Sequence, residues 1–468
     1  MNFCKYLLKG KKKLDKKVFV NQNYTYSQLF EDIQSLTKSL KVFDRQIIGI
    51  SFENSYSFII FYLSIINSNN IVLIIEKGLP TKKYFELMNK YKVNLFFTDL
   101  KFDKVDFKKD YEISSEIFKR IENFSKISRR NKFKEIDKKY FENVSLILFT
   151  SGSTGEKKGV MLTNENLVFN TNSILKFLPI KKKDIVNLVL PMSYSFGLSI
   201  VNTHLKVGSS FLLHNSPFVG SIINEVQDYN CTCFYGVPST FQILIEKTNF
   251  LKEKFKNINF FAQAGGELNS FYKKKLGVKF KNKFYVMYGA TEASPRLSYL
   301  NPKMLNKKIS SIGKPIYGVK FKLFKLKDSK YSELGVSGKN IMKGYLYDKK
   351  LTNKTFKKNY YLTGDIATKD KNGFYYILKR KDKILKRFGY KIQTAMIEKK
   401  INQLNFVKKS KIKLFEDNKM VLKVYVDNDS KFLRQEINNF LRSNFASYEI
   451  PNEIIIEKFE NQIFNFKE

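Results

Sequence analysis

Tryptophan is absent from this chain of 468 residues, histidine occurs twice, cysteine three times and proline nine times. Cys4, Cys231 and Cys233 form an odd set with no second pair at metal-binding spacing. That excludes a disulfide framework and a thiolate zinc site, and makes a reducing compartment the expectation. Long apolar runs are missing too: stretches such as Phe58–Ile66 fall well short of the ~20 residues that span a bilayer. Met1–Lys17 carries basic residues but no apolar signal core, so the expectation is a soluble, untargeted, cytoplasmic protein with no membrane insertion. Acidic residues are scarce, 43 against 84 Lys plus Arg, for a formal charge of +41. Charge of that size raises nucleic acid as a partner. Here, however, the basic residues recur from Lys9–Lys17 through Arg129–Lys139 to Lys379–Lys391, while Arg and Ala are rare and Ile, Asn, Phe and Tyr abound. This is a chain-wide bias, and screening over about 8–10 Å keeps scattered charges from acting as one groove. No nucleic-acid partner is expected.

With 43% hydrophobic and 27% charged residues the chain can bury a core, and its length allows roughly two to four domains. Amphipathic runs of helical period, Tyr26–Leu40 and Lys82–Tyr91, alternate with short apolar runs, Ile47–Ser51, Ile71–Ile75 and Val93–Thr98, which is βα alternation and predicts an α/β fold. Lys101–Lys139 is lysine-rich and weakly periodic and reads as a surface excursion before the apolar strand Val144–Thr150. Gly373–Leu378 reads as a strand, the charged Lys379–Lys386 follows, and a new pattern then begins. In it, helices at about Thr394–Gln403 and Lys431–Phe445 flank strands Ser410–Phe415 and Val421–Val426, a compact α+β lid.

The strongest chemical signal is Thr150–Gly159, TSGSTGEKKG, between an apolar strand and the helix-like run Asn164–Phe177. Small residues and hydroxyls let backbone N–H groups surround phosphate oxygens, and Lys158 adds charge. It is not a Walker A loop, since Gly152 is followed five positions on by Lys157 rather than by a Gly-Lys-Ser/Thr run. A second block is VMYGATEASP, Val286–Pro295; a third is YLTGD, Tyr361–Asp365, followed by KRKDKILKRFGYKI, Lys379–Ile392. Taken singly, each has an ordinary explanation in a polar turn, a buried aromatic or a solvated acid.

Together these blocks resemble the AMP-forming acyl-activating family of acyl-CoA synthetases, peptide-synthetase adenylation domains and luciferases. That family's motifs read TSGTTGxPKG, YGxTE, TGD and GRxDxxIKxxGxxI. The resemblance covers almost the whole chain, with YTYSQL (Tyr24–Leu29), Phe52–Asn67, the pocket turn Val237–Ser239 and AGGEL (Ala264–Leu268) also similar; departures are Lys157 for a usual Pro and Lys379 for a usual Gly. It implies a large multi-subdomain α/β adenylation domain, 1–381, and a small mobile α+β C-terminal lid domain, 382–468.

Site roles follow from the same match. Thr150, Ser151, Gly152, Ser153, Thr154, Gly155 and Lys158 would hold ATP phosphates, and Gly265, Gly266, Glu267 and Gly289 would approach the adenine nucleotide. Tyr288 would stack on adenine, Thr291 would bind the α-phosphate, and Glu292 would hold Mg²⁺ through a hard oxygen ligand. Asp365 and Arg380 would hold the ribose. Asp382 falls on the hinge, Gly389 on the approach of the pantetheine arm, and Lys386 on the rotating segment of the second half-reaction. Lys467 lies sixteen residues after Pro451, as the family's catalytic lysine does, although Phe466 and Phe464 stand where Gly and Pro are usual. In LPMSYSFGL, Leu190–Leu198, Tyr194 occupies the place usually held by His, and no Asp stands there to pair with an α-amine; Tyr194 is read either as a substrate contact or as a core aromatic.

The implied activity is ATP-dependent activation of a carboxylic acid to an acyl-adenylate, then transfer to a thiol of CoA or of carrier-protein phosphopantetheine. Ser193–Leu205 is similar to ligases that load dedicated acyl carrier proteins, and an acidic carrier would suit the basic surface. The alternatives are a degenerate adenylate-binding protein, a stand-alone amino-acid adenylation enzyme and a basic nucleic-acid binder.

Overall fold

A computed structural model describes residues 1–102, 110–118, 120–133, 137–151, 157–214, 219–326, 331–381, 385–388, 390–392, 394–415, 418–426 and 431–458. The chain divides into two compact units: Met1–Lys77, Phe85–Thr150 and Lys158–Lys381 form the large one, and Asp382–Glu468 with the short pieces Gly78–Tyr84 and Ser151–Lys157 form the small one.

The large unit is built on three sheets. The first has eight strands in the order Gly344–Tyr345, Lys157–Thr163, Val144–Ser151, Ile71–Ile74, Ile47–Ser51, Leu95–Thr98, Ile121–Arg129 and Tyr111–Phe118. Its central strands pair in parallel and are buried throughout, which is why Ile47–Ser51 and Ile71–Ile74 read as continuous apolar runs. Helix Tyr26–Leu40 starts at Thr25, whose hydroxyl accepts from the Gln28 N–H at 3.3 Å while Gln28 Oε1 accepts from the Thr25 N–H at 2.9 Å. It buries Tyr26, Leu29, Ile33, Leu36 and Leu40, one stripe at helical spacing. Helix Tyr56–Asn67 is buried on nearly every side, ten of the eleven positions from Tyr56 to Ile66 being buried and only Ser57 not.

The second sheet has seven strands in the order Lys314–Pro315, Arg296–Leu300, Phe284–Gly289, Phe260–Gln263, Cys233–Gly236, Ile185–Leu188 and Ser210–Leu213. Five are mutually parallel, and Arg296–Leu300 and Lys314–Pro315 add antiparallel at one edge. Four of the parallel strands run into motif segments: Leu188 two positions before LPMSYSFGL, and Gly236 directly before Val237–Ser239, Gln263 before AGGEL and Gly289 before ATEASP. Carboxyl ends of parallel strands are where open α/β sheets gather ligands. The third sheet, all antiparallel, contains Tyr360–Lys369 paired with Tyr375–Arg380, and sets Asp365 opposite Arg380.

In the small unit, Val407–Leu414, Met420–Val426 and Glu453–Lys458 form a three-stranded sheet carrying helices Thr394–Ile401 and Lys431–Asn444; Leu385–Arg387 and Tyr390–Ile392 form a separate ribbon. Its core of Ile392, Ile397, Leu422, Val424, Ile437 and Leu441 is its own.

One expectation needs correction, and two strands were not anticipated. Lys101–Lys139 is not simply a surface excursion: Tyr111–Phe118 and Ile121–Arg129 form a hairpin on the sheet edge, with Ile113 opposite Ile127. An edge strand needs few apolar residues, so its alternation is faint. The segment before Asn164 contains a further strand, Lys157–Thr163, and the chain after Pro451 a third lid strand, Glu453–Lys458.

Candidate active site

Asp365 and Arg380 meet across two strands of the third sheet, Arg380 Nη1 donating to Asp365 Oδ1 at 2.9 Å and to the Thr363 carbonyl at 2.8 Å. Gly364 lies at φ +73°, and a Cβ there would come within 3.0 Å of Arg380 Nη2, so the turn between Thr363 and Asp365 needs glycine for the guanidinium to lie over it. The Tyr288 hydroxyl, from the end of Phe284–Gly289, donates to the other carboxylate oxygen, Asp365 Oδ2. Burial first, and then the Asp365 charge, push the Tyr288 hydroxyl well above its ordinary range, so it stays a neutral donor. Three residues from two distant motifs thus form one polar cluster.

The turn Thr291–Ala293 follows. The Thr291 hydroxyl is 3.1 Å from Ser195 Oγ, at the start of helix Ser195–Val207. Glu292 is 3% exposed; its Oε1 accepts from the Tyr345 hydroxyl at 3.0 Å, while Oε2 is buried with no hydrogen-bond partner. Burial, followed by Glu292, raises the Tyr345 hydroxyl out of its ordinary range, which keeps it a donor. Tyr345 pairs with Val160, and Lys158 Nζ lies 6.0 Å from the Tyr345 ring centroid, so the strand leaving the phosphate loop is joined to the Glu292 turn. A buried carboxylate oxygen without a donor fits a hard cation. Among the described residues no group of three or more His, Cys, Asp or Glu could hold a metal, so a cation on Glu292 would draw its remaining ligands from water and phosphate oxygens.

Gly289 leaves no room for a side chain: a Cβ would stand 2.3 Å from the Pro295 carbonyl oxygen. Gly265, at φ +93°, packs against Val237; the Gly266 carbonyl accepts from Gln263 Nε2 at 2.8 Å, and Glu267 is exposed. Tyr194 is half-buried, and its hydroxyl donates to Oε2 of the buried Glu76 at 2.9 Å. Thr150 is buried at the end of Val144–Ser151. Ser151 and Lys386 lie in strands, their side chains outside the description. Gly152, Ser153, Thr154, Gly155, Asp382, Gly389 and Lys467 lie outside the described residues.

Sequence reasoning missed Tyr345, Ser195 and Glu76, each brought in by a contact across elements. Ser195 at least lay inside a segment already singled out; Tyr345 sits in a two-residue strand with no motif around it.

A family model for AMP-binding enzymes matches residues 9–346. The chain belongs to the AMP-binding enzyme family. This AMP-binding enzyme is 26% identical over 328 residues to the 2-succinylbenzoate–CoA ligase of Bacillus licheniformis, an alignment covering 68% of this chain and 67% of that one. It is also 26% identical over 327 residues to a feruloyl-CoA synthase of an Amycolatopsis species, covering 67% and 66%. The alignments with these curated relatives therefore span about two thirds of their length. In structure it resembles a double mutant of the o-succinylbenzoate CoA synthetase of Bacillus subtilis bound to a product analogue, with a TM-score of 0.82 at 19% identity over 97% of this chain and 94% of that one. Among the described residues, no helix of this AMP-binding enzyme is long and apolar enough to cross a membrane.

Proposed function

We propose that this AMP-binding enzyme joins a carboxylic acid to a thiol in two half-reactions. In the first, a carboxylate oxygen bonds to the α-phosphorus of ATP in line as the α–β phosphoanhydride breaks; pyrophosphate leaves and an acyl-adenylate stays. In the second, the thiol sulfur bonds to the acyl carbon, AMP leaves, and the thiol proton passes to solvent. The supporting observation is the convergence, around the end of strand Phe284–Gly289, of the Tyr288–Asp365–Arg380 cluster with Glu292 and its unpartnered buried oxygen.

In this reading Asp365 accepts from the ribose hydroxyls, with Arg380 and Tyr288 fixing its orientation, and Tyr288 and the glycines of 265–266 and 289 border the adenine. Thr291 donates to an α-phosphate oxygen. Segment 150–155 and Lys158 bind phosphates, and Lys467 adds positive charge where it develops on the phosphoryl oxygens. Glu292, held by Tyr345, holds Mg²⁺, which supplies charge neutralisation on the triphosphate. The lid domain, 382–468, turns about Asp382, bringing Lys386 towards the site and admitting the thiol past Gly389. Relatives named as a CoA ligase and a feruloyl-CoA synthase support CoA as acceptor. The formal charge of +41 favours a second acceptor of the same chemistry, the phosphopantetheine of an acidic carrier protein.

The test is carboxylate-dependent exchange of labelled pyrophosphate into ATP over short, long, aromatic and hydroxylated acids and amino acids, followed by transfer to CoA or a carrier. Exchange with one class supports adenylation. ATP binding without exchange for any acid would overturn the reading in favour of a degenerate adenylate binder.

A further inference from the structure

Arg296 opens the strand Arg296–Leu300, opposite Gly289 in the antiparallel register. It is 2% exposed and heads the largest fully buried side chains. Its backbone is satisfied: the N–H donates to Asn170 Oδ1 at 3.2 Å, and the carbonyl accepts from Asn170 Nδ2 at 2.9 Å and Asn340 Nδ2 at 3.1 Å. Its guanidinium Nε is not: it is buried without a hydrogen-bond partner, and no carboxylate of a described residue forms an ion pair with the guanidinium. Of the buried carboxylates near the site, Glu76 takes the Tyr194 hydroxyl and Glu292 takes the Tyr345 hydroxyl on Oε1, and neither is bonded to Arg296.

The surroundings say where the guanidinium lies. Its Cζ is 4.9 Å from the ring centroid of Phe196, the residue after Ser195, whose hydroxyl touches Thr291. Phe196 in turn packs edge-on against Tyr235, with centroids 6.2 Å apart. Tyr235 is no counter-ion. Ser209 Oγ donates to the His204 carbonyl, so its oxygen accepts from His204 Nδ1–H, and His204 Nε2 is left to accept from the Tyr235 hydroxyl. Burial holds that hydroxyl well above its ordinary range and therefore neutral. Burial also lowers the Arg296 pKa to about 10, which leaves it a cation at neutral pH.

A cation removed from water without a counter-charge is costly, and an aromatic face recovers only part of that cost. A guanidinium offers a planar fork of donors that matches a carboxylate. The one here sits between the strand of the nucleotide motif and the Phe196 ring, one residue from Ser195, whose hydroxyl touches Thr291. We infer that Arg296 is a specificity-determining residue that selects a dicarboxylic acid, pairing with the carboxylate that does not react. The inference rests on the adenylation reading above. It is the second carboxylate that matters, because the reacting one loses its charge when it becomes the adenylate. A guanidinium paired with that group alone would be stranded for the lifetime of the intermediate; a distal carboxylate stays charged through both half-reactions.

The test compares pyrophosphate exchange for chain-matched acids, each dicarboxylic acid against its monomethyl ester and its monocarboxylic analogue, in aliphatic and aryl series. The wild type should favour the dicarboxylate in at least one series by about 10²-fold or more in kcat/KM. Arg296→Met should collapse that ratio, and Arg296→Lys, which keeps the charge without the fork, should fall between. A preference for the monoacid in every series, or an unchanged ratio in Arg296→Met, overturns the inference. Should no acid support exchange, the adenylation reading fails by itself and the pocket is read by ligand-induced change in Tm. A dicarboxylate that raises the Tm of the wild type with AMP present, but not that of Arg296→Met, supports the arginine site. The absence of any such rise in the wild type overturns it. If Arg296→Met does not fold, the wild-type selectivity and the Arg296→Lys ratio decide by the same criteria.

Discussion

Glu292 shows how much of one residue's chemistry a motif can carry and where it stops. YGxTE spacing singled it out, but that one carboxylate oxygen is tied to Tyr345 while the other is buried and open comes from contacts 53 positions apart. Glu292→Gln keeps an oxygen for the Tyr345 hydroxyl and removes the negative charge. Pyrophosphate exchange should fall about 10²–10³-fold, with the thermal transition preserved. Lys467→Ala should suppress adenylation far more than thioester formation from supplied acyl-adenylate; equal loss in the two half-reactions would remove Lys467 from its proposed role. His204 makes a prediction about pH. Buried and neutral, it has its pKa lowered from 6.5 to about 3, chiefly by burial and then by Lys16. Its folded value lies below its unfolded one, so stability is undiminished above about pH 6.5 and falls as pH drops from there towards 3, where the unfolded chain binds the extra proton. At pH 5 the loss from this group is about 2 kcal/mol. Urea melts at pH 5 and 7.5 should show a larger difference for the wild type than for His204→Phe. Tyr288, Thr291, Asp365 and Arg380 were legible from motif order; Tyr345 and Arg296 were not, since a residue chosen by its cross-strand neighbours leaves no local pattern.

At the scale of elements, legibility followed the strength of local signals. Tyr26–Leu40 was readable to the residue because a capping pair, Thr25 and Gln28, precedes an apolar stripe of helical period. Thr163 and Asn166 make the same reciprocal pair at the start of helix Asn164–Leu175, with the Asn166 N–H donating to Thr163 Oγ1 at 3.1 Å. Thr163→Ala should therefore destabilise the large unit by about 1 kcal/mol in urea denaturation, and Thr163→Ser by much less. The strands Lys157–Thr163 and Glu453–Lys458 were missed for opposite reasons. The first follows directly on a polar loop that masks its apolar second half. The second, EIIIEK, is only six residues long and owes its place to parallel pairing with Met420–Val426, a partner about 30 positions earlier. The hairpin of Tyr111–Phe118 and Ile121–Arg129 was hidden by its lysine-rich surroundings and by its position at an edge, where one sparse apolar face suffices.

At the scale of the molecule, the two compact units carry separate cores, the large one a cluster running through the first and second sheets and a second one around Phe234, Phe250 and Phe261, the small one the set around Ile397, Leu422 and Leu441. The proposal of an independent lid domain makes a direct prediction: a fragment spanning 382–468 should unfold cooperatively by itself, with helical and strand content in far-UV circular dichroism. A featureless melt would mean that its core needs the large unit. The charge of +41 is spread over the whole chain, so it bears on solubility and on how charged partners approach, not on the fold. By itself the sequence determined the α/β class, the early strands and helices such as Ile47–Ser51, Ile71–Ile74 and Tyr26–Leu40, and the motif residues at the nucleotide-like cluster, because periodicity, caps and short motifs are all local in the chain. Only the tertiary structure decided that Tyr288 meets Asp365, that Tyr345 holds one oxygen of Glu292 and leaves the other open, and that Arg296 is buried without a counter-charge. Those facts depend on register between strands and on which side chains share a desolvated space, and neither is a property of any short stretch of sequence.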